Sequence, residues 1–122
     1  VSNAQELRKA AGTLRSLALA ASGQDWKLAV IEEPEDTIIV GIETEDDEMV
    51  MGDCMNSSEN WVTEEDAHFC VAADPGTGLL LADLLDTVAL VADAMTWPTD
   101  VVQRAMAVAQ RVNRKYPKGV KP

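Results

Sequence analysis

Aromatic residues make up only 4% of this 122-residue chain, histidine occurs once and cysteine twice. Each scarcity excludes something. With so few rings, the core has to be aliphatic, built from Ala, Val, Leu, Ile and Met. Two cysteines, Cys54 and Cys70, do not make a disulfide framework, and a chain of this length can form a core without one. Reduced thiols in a cytoplasmic setting are therefore the expectation. A lone histidine, His68, would have to serve any Ser–His or Cys–His pair, and no G-x-S-x-G turn is present, so no nucleophilic machinery is readable.

Positive charge is missing from most of the chain. Residues 28–103 hold 19 acids and no Lys or Arg, whereas residues 104–122 hold six bases and no acids. The net charge is −11. Such a field repels nucleic acid over most of the surface and favours a basic partner. Long apolar runs are missing as well: Asp83, Asp86 and Asp93 interrupt the most hydrophobic stretch, which argues against a membrane span. The first 27 residues have no uninterrupted apolar segment behind a basic one, so no secretory leader is expected.

What is present reads as a single α+β domain. An N-terminal helix over 3–22 carries Leu7, Ala10, Ala11, Leu14, Leu17, Ala18 and Ala21 at helical spacing, with Gly23 as its stop. Its stripe suits packing within the domain or a helix–helix contact in a homodimer or larger homo-oligomer. Period-two patterning over 26–51 predicts a small antiparallel sheet of two to three strands, with acidic turns at 32–36 and 44–47 and a polar loop at 52–62.

Three C-terminal helices follow. Thr63 is an N-cap candidate ahead of Glu64, Glu65 and Asp66, and Asp74-Pro75 restarts a helix after a break. The helix over 75–95 is apolar nearly all round, which predicts a central position. Another helix, over 99–116, turns Val101, Val102, Ala105, Met106, Ala109 and Val112 inward, and residues 117–122 are expected to fray.

If the last two helices form an antiparallel hairpin through Thr96-Trp97-Pro98, facing residues share a constant sum of sequence numbers. Asp93 with Arg104, Asp86 with Arg111 and Asp83 with Arg114 all give 197. This predicts three structural ion pairs that fix register rather than add much stability.

Sites for chemistry are few. A metal site would need Asp53, Cys54, His68 and Cys70 to converge, but His68 and Cys70 point about 200° apart on a helix, so no metal and no cofactor are expected. Asp74-Pro75-Gly76-Thr77-Gly78 opens a helix with two glycines. Its free N–H groups could cradle a phosphate, though no lysine adjoins it and Asp74 opposes an anion. Close backbone packing is the competing account of those glycines.

One set of segments has a family likeness. Leu7-Arg8 and Ala10-Ala11, then Gly23-Gln24-Asp25-Trp26, then Asp66-Ala67-His68-Phe69-Cys70-Val71-Ala72-Ala73-Asp74-Pro75 and Leu84-Leu85-Asp86 resemble small accessory proteins of the Ead type from phages and prophages. Their pattern runs L-R-x-A-A…G-P-W…D-A-x-F-I-A-x-x-x-P…L-L-D, spanning residues 6–86 with an unmatched middle. Gln24-Asp25 stands where the pattern has one Pro, and Cys70 where it has Ile. The resemblance carries no enzymatic role. It implies a non-enzymatic protein that binds a host protein or a small nucleotide-like ligand, in the manner of phage proteins that sequester nucleotide-derived immune signals.

For such a ligand the candidate residues are Arg8, Arg15, Trp26, His68, Gly76 and Gly78. An acidic decoy that imitates DNA and occupies a host DNA-binding protein is the alternative. It draws on the segment 32–66, with 14 acids and no Lys or Arg. An enzyme would instead need a cleft joining His68 to several carboxylates.

Overall fold

The computed structural model describes residues 2–32, 37–51, 63–94 and 99–120. Element order is α1 (Asn3–Ala20), β1 (Trp26–Glu32), β2 (Thr37–Thr44), β3 (Met49–Met51), α2 (Glu64–Ala72), α3 (Pro75–Ala94) and α4 (Asp100–Lys115). The fold is α+β, as the alternation of periods predicts. Two compact units emerge, residues 1–20 with 78–122 and residues 21–77. No described helix is long and apolar enough to cross a membrane.

In the helical unit, α1, α3 and α4 pool small and aliphatic side chains into one cluster around Leu7, Ala11, Leu85, Ala89, Val102 and Ala109. Leu7, Leu85 and Val102 are fully buried, and burial of such side chains stabilises by about 1.5–3 kcal/mol each. Alanine at positions 4, 10, 11, 18, 82, 89 and 109 of the helices lets them approach closely where larger residues would hold them apart. Helix direction follows from two sets of contacts. Glu6 meets Asn113 and Lys9 meets Pro117, so α1 and α4 run parallel, whereas Arg8 meets Asp93 and Arg15 meets Asp86, so α3 runs antiparallel to α1.

One expectation for this unit is corrected. Helix α3 is not buried all round: it hides Ala82, Leu85, Val88 and Ala89 but exposes Leu80, Leu84, Leu90 and Val91. At the tail, contacts continue past Pro117 among the described residues. Lys9 Nζ donates to the Pro117 carbonyl at 2.7 Å, the Gly119 N–H donates to Tyr116 O at 2.9 Å, and Gly119 and Val120 are half-buried. Gly119 takes a φ of 71°, which is inexpensive only for glycine.

In the other unit the three strands form an antiparallel sheet in the order β1-β2-β3. Leu28 pairs with Ile42 and Ala29 with Gly41, after which Val30 pairs with Ile39 and leaves Val40 as the extra residue of a bulge. Ala29 is buried and its neighbour Val30 exposed, as successive side chains of a strand point to opposite faces. Asp47, with a φ of 65°, closes the β2–β3 turn, where its N–H donates to Thr44 O. Helix α2 packs on β1 and β2 through Ala67.

The helix starts are capped, at Thr63 and Asp74 as the sequence indicates and at Thr99, which the pattern over 99–116 places inside the helix. Thr63 Oγ1 accepts from the Asp66 N–H at 3.1 Å, Asp74 Oδ1 from Thr77 at 2.9 Å, and Thr99 Oγ1 from Val102 at 3.3 Å. The expected acidic turn at 32–36 (beyond Glu32), the loop at 52–62 and the link at 96–98 lie outside the described residues.

Candidate functional site

Arg8 and Arg15 sit on α1 beside the aspartates of α3. Arg8 Nη2 lies 2.6 Å from Asp93 Oδ2, and Arg15 Nη2 lies 3.1 Å from Asp83 Oδ1 and 2.8 Å from Asp86 Oδ2. The hydrogen bonds that Arg15 donates to Asp86 and then to Asp83 raise its pKa above the ordinary value. Both arginines are thus engaged within the helical unit rather than offered to a ligand.

These contacts overturn the expected pairs Asp93–Arg104, Asp86–Arg111 and Asp83–Arg114. The constant-sum rule holds, but for α1: the numbers of Arg8–Asp93 and of Arg15–Asp86 each total 101. Helix α4 fails as the partner because of its own period. Val102 and Ala109 face the core, and Arg104 and Arg111 lie two residues on from them, roughly 200° around the helix. Arg104, Arg111, Arg114, Lys115 and Lys118 are exposed, and among the described residues none has a carboxylate partner.

The remaining candidates do not converge with the arginines. Trp26 is half-buried at the start of β1; its indole N–H donates to Ser22 O at 2.7 Å and its backbone N–H to Asp74 Oδ2 at 3.2 Å. His68 is exposed on α2, with Nε2 3.8 Å from Glu64 Oε1 one turn earlier. This is a solvated surface pair, not a water-excluded acid–base pair. Cys70 is a free, half-buried thiol, while Asp53 and Cys54 lie outside the described residues. Among the described residues no cluster of His, Cys, Asp and Glu has the makings of a metal site.

The glycine-rich helix start is occupied by its own chain. The Gly76 N–H donates to Gln24 O at 2.9 Å, and a Cβ added at Gly76 would stand 3.1 Å from that carbonyl. A Cβ added at Gly78 would stand 3.7 Å from the Ala18 Cβ, an ordinary contact. Partial burial pushes the Asp74 carboxyl up, but hydrogen bonds from Thr77 and Trp26 outweigh it, and the pKa ends below the ordinary value. An ionised carboxylate already caps this helix start, so a phosphate has neither room nor charge there.

Charge divides between the two units. Residues 21–77 carry sixteen acids and one base, for −15, and residues 1–20 with 78–122 carry nine bases and five acids, for +4. The single base, Lys27, is held by Asp47, with Glu43 at 3.7 Å. Its pKa is raised, first by the Asp47 hydrogen bond. Glu32, Glu45, Asp46, Asp47, Glu48, Glu64, Glu65 and Asp66 are all exposed.

Sequence reasoning missed one polar group in the helical unit. Asn113 lies four residues beyond Ala109 on the inward stripe of α4 and is 8% exposed. Its Nδ2 donates to the Glu6 carbonyl and to Glu6 Oε2, both at 3.1 Å, and its Oδ1 has no partner. Two acceptors around the nitrogen fix the orientation of the amide. A buried carbonyl left unpaired costs about 1–3 kcal/mol. Asn113 lines an open cleft of about 580 Å³ with Glu6, Lys9, Gln110, Arg114 and Pro117. Signals for it existed: an asparagine at an i+4 position of an apolar stripe, with cations beside it.

The chain matches no family model, no curated protein and no solved structure.

Proposed function

We propose that this chain is a non-enzymatic accessory protein of the phage type that acts by occupying a basic, nucleic-acid-binding host protein in the cytosol. The charge division carries this reading. A unit at −15 with most of its described acids exposed and its only lysine already neutralised presents a polyanionic surface of the kind a DNA-binding protein meets in duplex phosphates. Such an interface forms fast and weakens steeply with salt. The test is competition: the protein should displace a labelled duplex from one of a panel of host DNA-binding proteins at low salt. Changing Glu45, Asp46, Glu48, Glu64, Glu65 and Asp66 to Gln or Asn should abolish displacement. If the neutralised variant competes as well as the parent, the decoy reading fails.

A second reading, sequestration of a small nucleotide-derived signal, draws on different residues. It needs cations, and with Arg8 and Arg15 engaged by aspartates those left to it are Lys9 and the cations of α4 and the tail. A thermal-shift screen with cyclic and linear nucleotides addresses it: stabilisation by one of them is expected, and no shift with any would remove the reading.

A further inference from the structure

We infer that the outward face of α4 in one copy of this chain docks on the outward face of α2 in another, setting Arg104 and Arg111 against Glu65 and Asp66 around Phe69. The contact requires neither the decoy nor the sequestration reading. Helix α4 turns Val101, Arg104, Val108, Arg111 and Lys115 outward within an arc of about 80°. Asp100, in the first turn, is the one acid of this helix, and from Arg104 onward the face is apolar and basic. None of its three cations has a carboxylate partner among the described residues.

Helix α2 carries the counterpart. Ala67 packs inward on the sheet, while Phe69, the only phenylalanine of the chain, is 72% exposed. Glu65, Asp66 and Ala72, all exposed, lie within about 60° of it around the helix. A single exposed apolar side chain is ordinary. Here each exposed apolar group is flanked by charges of one sign, and the two signs are opposite.

The charges select the occupant. Two α4 faces repel each other and so do two α2 faces, whereas α4 on α2 satisfies both. An arginine suits the position doubly, with a fork for a carboxylate and a plane that stacks on a phenyl ring. The net charge of −11 opposes association. At physiological ionic strength, however, charges more than about 8 Å apart are screened, and the groups in contact decide. Because the two faces differ, the contact is head-to-tail and runs on into chains or closes into a ring. Two helix faces make a small, transient interface, so a dissociation constant of about 100 µM is expected and the dilute chain is a monomer.

Sedimentation equilibrium of the whole chain from about 5 µM to about 500 µM tests this. The average mass should climb past that of a monomer at about 0.15 M NaCl, and association should weaken by roughly fivefold or more at about 1 M. One variant combines Arg104→Glu with Arg111→Glu, the other Glu65→Lys with Phe69→Ser. All four positions are exposed, and thermal unfolding verifies each fold. Each variant alone should stay a monomer. Mixed in equal amounts they should form a dimer and nothing larger, because each keeps the face the other has lost. The milder Arg104→Gln with Arg111→Gln should weaken association of the parent by roughly fivefold. A parent that remains a monomer at about 500 µM would overturn the contact, as would variants that still associate alone or a mixture that stays monomeric. A monomeric parent that binds a labelled duplex through Arg104 and Arg111 would overturn it too, and would give the α4 face to a polyanion.

Discussion

Asp93 accepts a 2.6 Å hydrogen bond from Arg8, 85 positions away in sequence, while Arg104, only eleven residues beyond it, faces solvent. The α1–α3 seam is closed in this way at both ends, by Arg8 on Asp93 and by Arg15 on Asp83 and Asp86. Because these groups are about half exposed, each pair contributes at most about 1 kcal/mol. Arg15, which serves two carboxylates, should matter most: Arg15→Met is expected to lower unfolding free energy by about 0.5–1 kcal/mol. Arg104→Ala, Arg111→Ala and Arg114→Ala should each stay within about 0.5 kcal/mol of the parent. Urea denaturation checks both sets, and a double-mutant cycle on Arg15 and Asp86 should return a coupling that the cycle on Asp86 and Arg111 lacks.

Two glycines should respond to alanine with opposite signs. Gly12 lies inside α1, exposed, with nothing within 4 Å of an added Cβ. Gly12→Ala removes only unfolded-chain freedom and should stabilise by about 0.5–1 kcal/mol. Gly76→Ala pushes a Cβ to 3.1 Å from the Gln24 carbonyl, a backbone atom that also accepts the Gly76 N–H. Relief requires the Gln24 carbonyl to move by a few tenths of an ångström and so stretches that bond, and a loss of about 1–2 kcal/mol is expected. Thermal unfolding of both variants side by side is sufficient. A Gly76→Ala protein as stable as the parent would show that the turn relaxes freely.

How much of this was legible depends on the kind of feature. Caps at Thr63 and Asp74 are local, set by a side chain and the N–H three residues on, and they stand where the sequence places them. The ion pairs are not local. A register rule says which residues face each other once two helices are known to be neighbours, but it is silent on which helix covers the aspartate face. The same apolar stripe that placed Val102 and Ala109 inward also put Arg104 and Arg111 on the far side, and that conflict was visible in the sequence. Val101, read as inward, is exposed, while Asn113 takes a core position instead. An asparagine at a buried i+4 position becomes intelligible only once Glu6 is seen beside it.

Asp74 gives the fold an acid-sensitive joint. It caps α3 through Thr77 and also holds the N–H of Trp26 at the start of β1, and its pKa lies below the ordinary 3.8. A group whose folded pKa is depressed contributes stability above its unfolded pKa and loses it as pH falls through the folded value. The contribution is therefore complete at neutral pH and declines below about pH 4. Asp74→Asn keeps a capping oxygen without the charge, so its stability relative to the parent should be lower at pH 7 and should converge as the pH drops below 4. Asp74→Ala should cost about 1–2 kcal/mol at neutral pH, because it removes a cap and a strand contact together. A parallel offset between Asp74→Asn and the parent at all pH values would contradict the ionised cap.

Salt should stabilise the protein, although it weakens the ion pairs of the α1–α3 seam. The two effects oppose each other, and their sizes decide. Exposed pairs give at most about 1 kcal/mol each, and screening removes only part of that. Against them stands a unit at −15 in which folding brings further acids near those already adjacent in sequence. Each like-charge approach at about 6 Å costs roughly 0.7 kcal/mol in water before screening. Repulsion within the runs 45–48 and 64–66 persists in the unfolded chain, so only the encounters created by folding count. Even two or three of these match the seam, and fifteen uncompensated charges supply more. Raising NaCl from about 20 mM to 500 mM, which shortens the Debye length to near 4 Å, should therefore raise the midpoint of thermal unfolding. Neutralising Glu45, Asp46 and Glu48 together should flatten that rise, whereas Arg15→Met should steepen it by removing two of the ion pairs that salt erodes. A midpoint that falls with salt in the parent would mean that the seam outweighs the acidic unit.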